Sequence, residues 1–331
     1  MICCFGELLL RFSPVMGGRF IADASMPMFI GGAELNVATA LALWNTPTRY
    51  ITALPKNYLA EEIVEFVSGK NIDSSFIQYC GERIGSYYLP QGTDLKNNAV
   101  IYDRNYSAFS TIHPGDFDWN EILKDVDWFH FSAISPALND NVAAVCLEAA
   151  KAARARGITV SIDLNYRAKL WQYGKQPIEV MPALLQECDI VMGNIWAANS
   201  LLGIEKTLQE STGKSMAELS AAAAASMQLL KAAYPSVKTV AYTFRLDSTY
   251  FGCLLHNNSL SVSAEHNISS VADKVGSGDC FMGGLIYGLV NNKPTDEIIN
   301  YAAAAAVLKL QQKGDATTSS IADVEKYINH G

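Results

Sequence analysis

The sequence predicts an α/β fold in three layers: a mostly parallel central sheet with helices on both faces, and a small second β-sheet beside it. Three observations carry the prediction. Runs of strand character alternate with runs of helical composition along most of the chain, and strands joined through helices need right-handed crossovers that leave a parallel sheet covered on both sides. Half of the 331 residues are apolar, enough to bury a substantial core. Residues 11–30 and 84–110 break the alternation with strands and turns but no helix, so they are expected to pair into the small sheet. No low-complexity linker or internal repeat divides the chain, and residues 1–331 read as one domain carrying these two inserts.

Each element follows from its local pattern. Residues 1–10 form a short, largely apolar run of strand type, followed by Arg11-Phe12-Ser13-Pro14 and a glycine-rich turn at Met16-Gly17-Gly18-Arg19. Residues 20–30 read as further extended segments, stopped by Gly31-Gly32. Residues 33–44 have helical composition, with Leu35, Ala38, Leu41 and Ala42 on one face. Strands are then expected over 49–54, 76–80, 128–134, 158–164, 190–193 and 237–243, and helices over 57–70, 139–156 and 216–234. Helices over 279–290, 295–312 and 320–329 close the chain.

Composition excludes several function classes. A formal charge of −8 and the lack of any basic run argue against general nucleic-acid affinity, which needs clustered Lys and Arg. Seven scattered cysteines without Cys-x-x-Cys, and five histidines without His-x-x-x-His, indicate neither a disulfide framework nor a zinc site; the thiols read as reduced and mostly core. The first residues carry no basic n-region, Glu7 interrupts their apolar run, and the alanine runs 221–225 and 302–306 are too short to span a bilayer. A cytoplasmic, soluble protein without a membrane partner is expected, with the Asn-x-Ser matches at Asn105, Asn257 and Asn267 arising by chance.

The chemistry is placed at Asp273-Lys274-Val275-Gly276-Ser277-Gly278-Asp279, where a polar run meets an apolar helical one. A Gly-x-Gly turn lets backbone approach a ligand closely, and the free N–H groups of the following helix then point at an anion, so the turn is a phosphate cradle. Asp279 admits two readings, an ordinary N-cap or a base for a nucleophilic hydroxyl, and the local pattern does not decide. Rival motifs fail: a dinucleotide fingerprint needs glycine where Phe281 stands, and the frame ending in Gly213-Lys214-Ser215 has Leu208 at the first glycine of a Walker loop. Gly31-Gly32-Ala33-Glu34-Leu35-Asn36-Val37-Ala38 is likewise either a generic strand-to-helix turn or a backbone lying close to a substrate's hydroxyls.

The later run resembles the C-terminal signature of the ribokinase-like (PfkB) carbohydrate kinases, Asp-Thr-x-Gly-Ala-Gly-Asp-x-Phe, and the earlier one resembles their N-terminal signature, Gly-Gly-x-x-x-Asn-x-Ala, in the same order. The resemblance implies a ribokinase-like αβα sandwich whose small sheet is a lid over the sugar. It implies Asp279 as catalytic base, the amides of Gly276, Ser277 and Gly278 on the transferring phosphoryl group, and Gly31, Gly32 and Asn36 at the sugar. It further implies ATP and Mg²⁺, raises the question of a monovalent cation, and points to a homodimer or higher homo-oligomer through the lid.

Three polar clusters remain for the substrate: Tyr87-Tyr88, residues 102–110, and residues 163–171. An arginine in a loop reads either as a solvated charge or as a ligand, but Arg167 follows a strand expected to be central, where open parallel sheets place their ligands. Together with the opening Gly6-Glu7-Leu8-Leu9-Leu10-Arg11-Phe12-Ser13-Pro14, these clusters resemble the 2-keto-3-deoxygluconate kinases. That resemblance puts Tyr87, Tyr102, Arg104 and Arg167 on a sugar acid. An arginine fork pairs with both oxygens of a carboxylate, which a neutral sugar does not need.

The chain departs from the signatures at several positions. The family's Asn-x-x-Glu falls at Asn194 with Ala197 in the fourth place, Lys274 replaces Thr, Ser277 replaces Ala, and Arg245 stands where Thr-x-Gly, starting at Thr243, would have its glycine. Arg245 faces the phosphates or lies on the surface. On the nucleotide side the resemblance implies Asn194, Thr243, Arg245, Gly276, Gly278 and Gly314, with Val271 and residues 303–307 reading as an adenine slot or as core packing. The expected function is ATP-dependent phosphorylation of a sugar acid, foremost 2-dehydro-3-deoxy-D-gluconate to its 6-phosphate. The alternatives are fructose, ribose or a nucleoside as substrate, or a catalytically weakened binding homologue, which Ala197 motivates.

Overall fold

The computed structural model describes residues 1–15, 18–21, 25–92, 99–268 and 270–330. Part of the glycine-rich turn and the tip of the second insert lie outside these residues. Ten strands form the main sheet, in the order Ser259–Val262, Thr249–His256, Thr239–Arg245, Ile190–Gly193, Thr159–Asp163, Trp128–Ser132, Ile2–Phe5, Thr48–Ile51 and Ile72–Asp73, with His266–Asn267 added against Thr249–His256. Pairing is parallel from Thr239–Arg245 to Ile72–Asp73 and antiparallel beyond it at the other edge.

Alternation along each strand builds the layers. Cys3 and Phe5 pack on one face with Phe129, Phe131 and Val160 beneath the helices Asp140–Ala155, Pro177–Leu185, Ile195–Leu202 and Met216–Ala233. Ile2 and Cys4 point the other way, into a second core with Tyr50, Trp128 and Met192 under Ala33–Leu43, Tyr58–Ser68, Ser277–Val290 and Thr295–Leu310. Helix starts follow from capping. Asn57 and Asn139 accept N–H bonds from Ala60 and Val142, and Ser215 with Glu218 makes a capping box. The described cysteines are all free and, apart from half-buried Cys80, buried. Among the described residues no helix is long and apolar enough to cross a membrane.

The small sheet has the order Met28–Gly31, Leu9–Phe12, Gly85–Tyr88, Ile101–Asp103, drawn from both inserts, with a parallel central pair and antiparallel outer pairs. The run 1–10 is therefore two strands in different sheets. The chain crosses over at Gly6, where a Cβ would sit 2.0 Å from Oε2 of Glu34, so a side chain there would have to displace the buried Glu34 carboxyl. The expected strand 49–54 also divides, Ala53–Leu54 leaving the main sheet to pair with Gln78–Tyr79. Helices Pro177–Leu185 and Ile195–Leu202 and the hairpin Thr249–Val262 went unpredicted; Pro182 inside the first disguises its period.

Candidate active site

A cavity of about 520 Å³ opens where the parallel strands end at their carboxyl termini, among Glu7, Ile134, Asp163, Asn194 and Thr243. Its floor is the glycine loop. Gly276, with φ 79, is the N-cap of the helix Ser277–Val290, so Asp279 lies in the first turn and is not the cap; that reading is excluded. Only glycine fits at Gly276, because a Cβ there would come 1.7 Å from the carbonyl oxygen of Asp315. Gly278 has open space where a side chain would begin. The N–H groups of Ser277, Gly278 and Asp279 have no helical carbonyl to meet, and together with the helix dipole they make an anion site on this wall.

Asp279 is 9 % exposed, and its Oδ2 accepts a 2.7 Å hydrogen bond from Nδ2 of Asn36, a residue in the first turns of the helix Ala33–Leu43. Burial pushes the Asp279 pKa up to about 7; the Asn36 hydrogen bond pulls it down, Asp163 and Glu34 push it up, and Arg167 lowers it. A carboxylate so placed is half-ionised near neutrality, the condition for a general base. Gly32, at φ 135, starts the same helix with its backbone against the carbonyl of Glu7.

Tyr87 and Tyr102 stand with ring centroids 6.3 Å apart, both lining the cavity and packed in one cluster with Val275 of the loop. Arg104 is buried, and its Nε donates to Oε2 of Glu7 at 2.5 Å, so only its Nη donors remain for a ligand. Arg167 also lines the cavity: one Nη donates to the Tyr166 carbonyl at 3.0 Å, and its buried Nε has no hydrogen-bond partner. Asn194 caps the helix Ile195–Leu202, its Oδ1 accepting from the Ala197 N–H at 2.9 Å, which engages that oxygen locally.

Arg245 and Lys274 line both this cavity and an adjoining one of about 210 Å³, so Arg245 does not lie on the open surface. Desolvation lowers the Arg245 pKa. Val271, Ile268, Leu246 and Leu310 line the second cavity. Residues 303–307 do not line it: they are buried in the core against the helix Ser277–Val290, where Gly284 meets the backbone of Ala302. The expected site residues thus converge on one cavity, except Gly31 and Gly314. Gly31 pairs with Leu9 in the small sheet, and the Gly314 N–H donates to Asp273 at 3.3 Å.

The comparison with known proteins accords with this arrangement: the profile of the pfkB family carbohydrate kinases matches residues 1–322. The chain belongs to that family. Its similarity to a 2-dehydro-3-deoxygalactonokinase from Haloferax volcanii is 27% identity over 330 residues, covering 99% of this chain and 96% of the relative. The crystal structure of 2-dehydro-3-deoxygluconokinase from Thermotoga maritima superposes with a TM-score of 0.89 at 32% identity, covering 99% of both chains. A PfkB family carbohydrate kinase from Listeria grayi follows at TM-score 0.87 and 29% identity, again over 99% of both.

Several residues of this carbohydrate kinase's cavity escaped the sequence reading. Glu34 is 2 % exposed with Oε1 unpartnered, and burial pushes its pKa up to about 7 against the hydrogen bonds of Ser132. Glu7 takes both Arg104 and the hydroxyl of Ser107. A glutamate within a glycine signature was the available signal for Glu34; for Glu7 it was a place in the opening run that carries the resemblance, while its partners lie 97 and 100 residues away.

Proposed function

We propose that this pfkB-family kinase transfers the γ-phosphoryl group of MgATP to the terminal hydroxyl of 2-dehydro-3-deoxy-D-gluconate, under the small sheet acting as a lid. The observation that carries the reading is the position of Asp279, buried, held by Asn36, in one cavity with the loop glycines, Arg104 and Arg167. In this reading the acceptor hydroxyl lies against the Asp279 carboxylate, which takes its proton as the new O–P bond forms and ADP departs. The amides of Ser277 and Gly278 receive the charge of the transferring group. Arg167 and the Nη donors of Arg104 face the substrate carboxylate, while Tyr87 and Tyr102 wall its carbon chain.

On the nucleotide side, Lys274 and Arg245 flank the polyphosphate and the second cavity takes the base. Asp163 is a further cavity carboxylate, and such a group suits an ion that keeps waters and phosphate oxygens for its other ligands. Magnesium bound there with the nucleotide would neutralise phosphate charge. With Ala197 in place of a glutamate, Asn194 serves that wall as a helix cap.

The Glu7–Arg104 pair favours a second reading. Compensating one arginine lowers the demand for an acid and suits a neutral keto sugar such as fructose. Rates with 2-dehydro-3-deoxy-D-gluconate, D-fructose, D-ribose and adenosine, repeated with Arg167→Ala, separate the two. Acid-restricted turnover whose KM rises about 30-fold or more in the variant supports the first reading. Preference for a neutral sugar, insensitive to Arg167, overturns it.

A further inference from the structure

Behind the glycine loop lies a buried charge cluster that the reaction as drawn does not touch. Arg11, Asp273, Asp315 and Lys309 are 1 %, 2 %, 3 % and 0 % exposed. Nη2 of Arg11 is 2.6 Å from Oδ2 of Asp273, and its Nε is 2.8 Å from Oδ1 of Asp315. Asp273 also accepts the Val275 N–H at 3.1 Å, and Asp315 accepts the Tyr87 hydroxyl at 2.9 Å. Two buried acids call for two cations, since an uncompensated charge does not survive away from water. Arg11 is one; burial lowers the Lys309 pKa while the field of Asp273 and Asp315 opposes that, and a protonated Lys309 makes the cluster neutral.

The ammonium of Lys309 is fully buried and meets a backbone carbonyl. It donates to the Gln312 carbonyl at 3.3 Å, inside the turn that carries Asp315. The Asp315 carbonyl is the group against which Gly276 packs, and Cε of Lys309 is 3.4 Å from where a Gly276 Cβ would be. Lys309 therefore stands against the backbone that sets the loop's left-handed turn, and it is not among the residues that line the cavity. A lysine ammonium is a compact point charge with several donors, the chemical equivalent of a dehydrated K⁺ or NH₄⁺ among oxygens. The acids that would face a free monovalent cation here are paired with Arg11, and the Lys309 ammonium lies buried beside them on the Gln312 carbonyl.

We propose that Lys309 is a positioning residue that serves the glycine loop as a built-in monovalent cation, so that this kinase works without potassium or ammonium ions. The proposal rests on the nucleotide reading of the loop. Its test compares chloride salts of K⁺, NH₄⁺, Na⁺ and tetramethylammonium at constant ionic strength. The readouts are kcat on the active sugar and, independently of any sugar, calorimetric titration with ADP.

The wild type is expected to vary by less than about twofold across the salts in both readouts. Lys309→Ala, which opens space for an ion, should lose about 100-fold in kcat and regain at least about tenfold with NH₄⁺ or K⁺ but not tetramethylammonium. Lys309→Met, which fills that space, should lose as much and regain nothing. Activation of the wild type by K⁺ of about tenfold or more, or an unimpaired Lys309→Ala enzyme, overturns the proposal, and the wild-type result decides even if the variants do not fold. If the wild type binds ADP but phosphorylates no sugar tried, the sugar assignment fails and the ADP titrations still decide the cation. No ADP binding in any salt would sink the nucleotide reading and this proposal with it.

Discussion

Replacing Asn36 by alanine tests the Asp279 assignment more searchingly than removing the acid itself. Nδ2 of Asn36 donates at 2.7 Å to the ionised carboxylate, in a setting that burial has already made unfavourable for charge. A hydrogen bond to a charged group contributes about 1.5–3 kcal/mol. Its loss should raise the Asp279 pKa by roughly 1–2 units above its starting value of about 7. A base must be unprotonated to act, so the rate rises with pH through this pKa. At pH 7 the ionised fraction should fall from about half to about 1–10 %, and the rate about five- to fifty-fold. The assay is the pH profile of kcat/KM, which reports the free enzyme's groups. The acid limb should move to higher pH with recovery near its plateau in alkali. A loss equal at every pH, or a limb that stays in place, would refute the argument that Asn36 tunes this base.

Other changes test the surrounding physics. Gly276→Ala puts a Cβ onto the Asp315 carbonyl at a positive φ, and should cost more than about 2 kcal/mol in urea unfolding as well as activity; near-normal stability would contradict the backbone account. Lys274→Thr should raise the ATP KM about tenfold and leave the sugar KM alone, with steady-state kinetics in each substrate as the check. Glu34 has a folded pKa above its ordinary value of 4.5, so between the two values the unfolded chain binds fewer protons and stability falls as pH rises through about 7. Glu34→Gln should remove on the order of 2–3 kcal/mol of that decline, read from chemical denaturation at pH 5 and pH 8.

What could be read from the sequence was what is encoded locally. The glycine loop and the paired glycines depend on backbone freedom within a few residues, and the alternation of strand and helix on short-range periodicity. The N-cap question at Asp279 could not be resolved, because it turns on the positive φ of Gly276, which the Asp315 carbonyl imposes from 39 positions later in the chain. The roles of Glu7 and Lys309 were hidden for the same reason: an isolated charge in an apolar run acquires meaning only from distant partners. Arg104 was found but only half understood, since nothing near it announces that Glu7 would occupy its Nε. The alanine stretch 303–307 was ambiguous because small residues serve tight helix packing and flat ligand slots equally, and Gly284 against Ala302 decides for packing.

The most direct test of Asp279 as the base of a sugar-acid kinase is ADP release from MgATP with 2-dehydro-3-deoxy-D-gluconate, wild type against Asp279→Asn. Turnover by the wild type is expected, with a loss of about 10²–10⁴-fold in kcat in a variant that still binds ADP and unfolds normally. A variant that keeps its rate would contradict that role for Asp279.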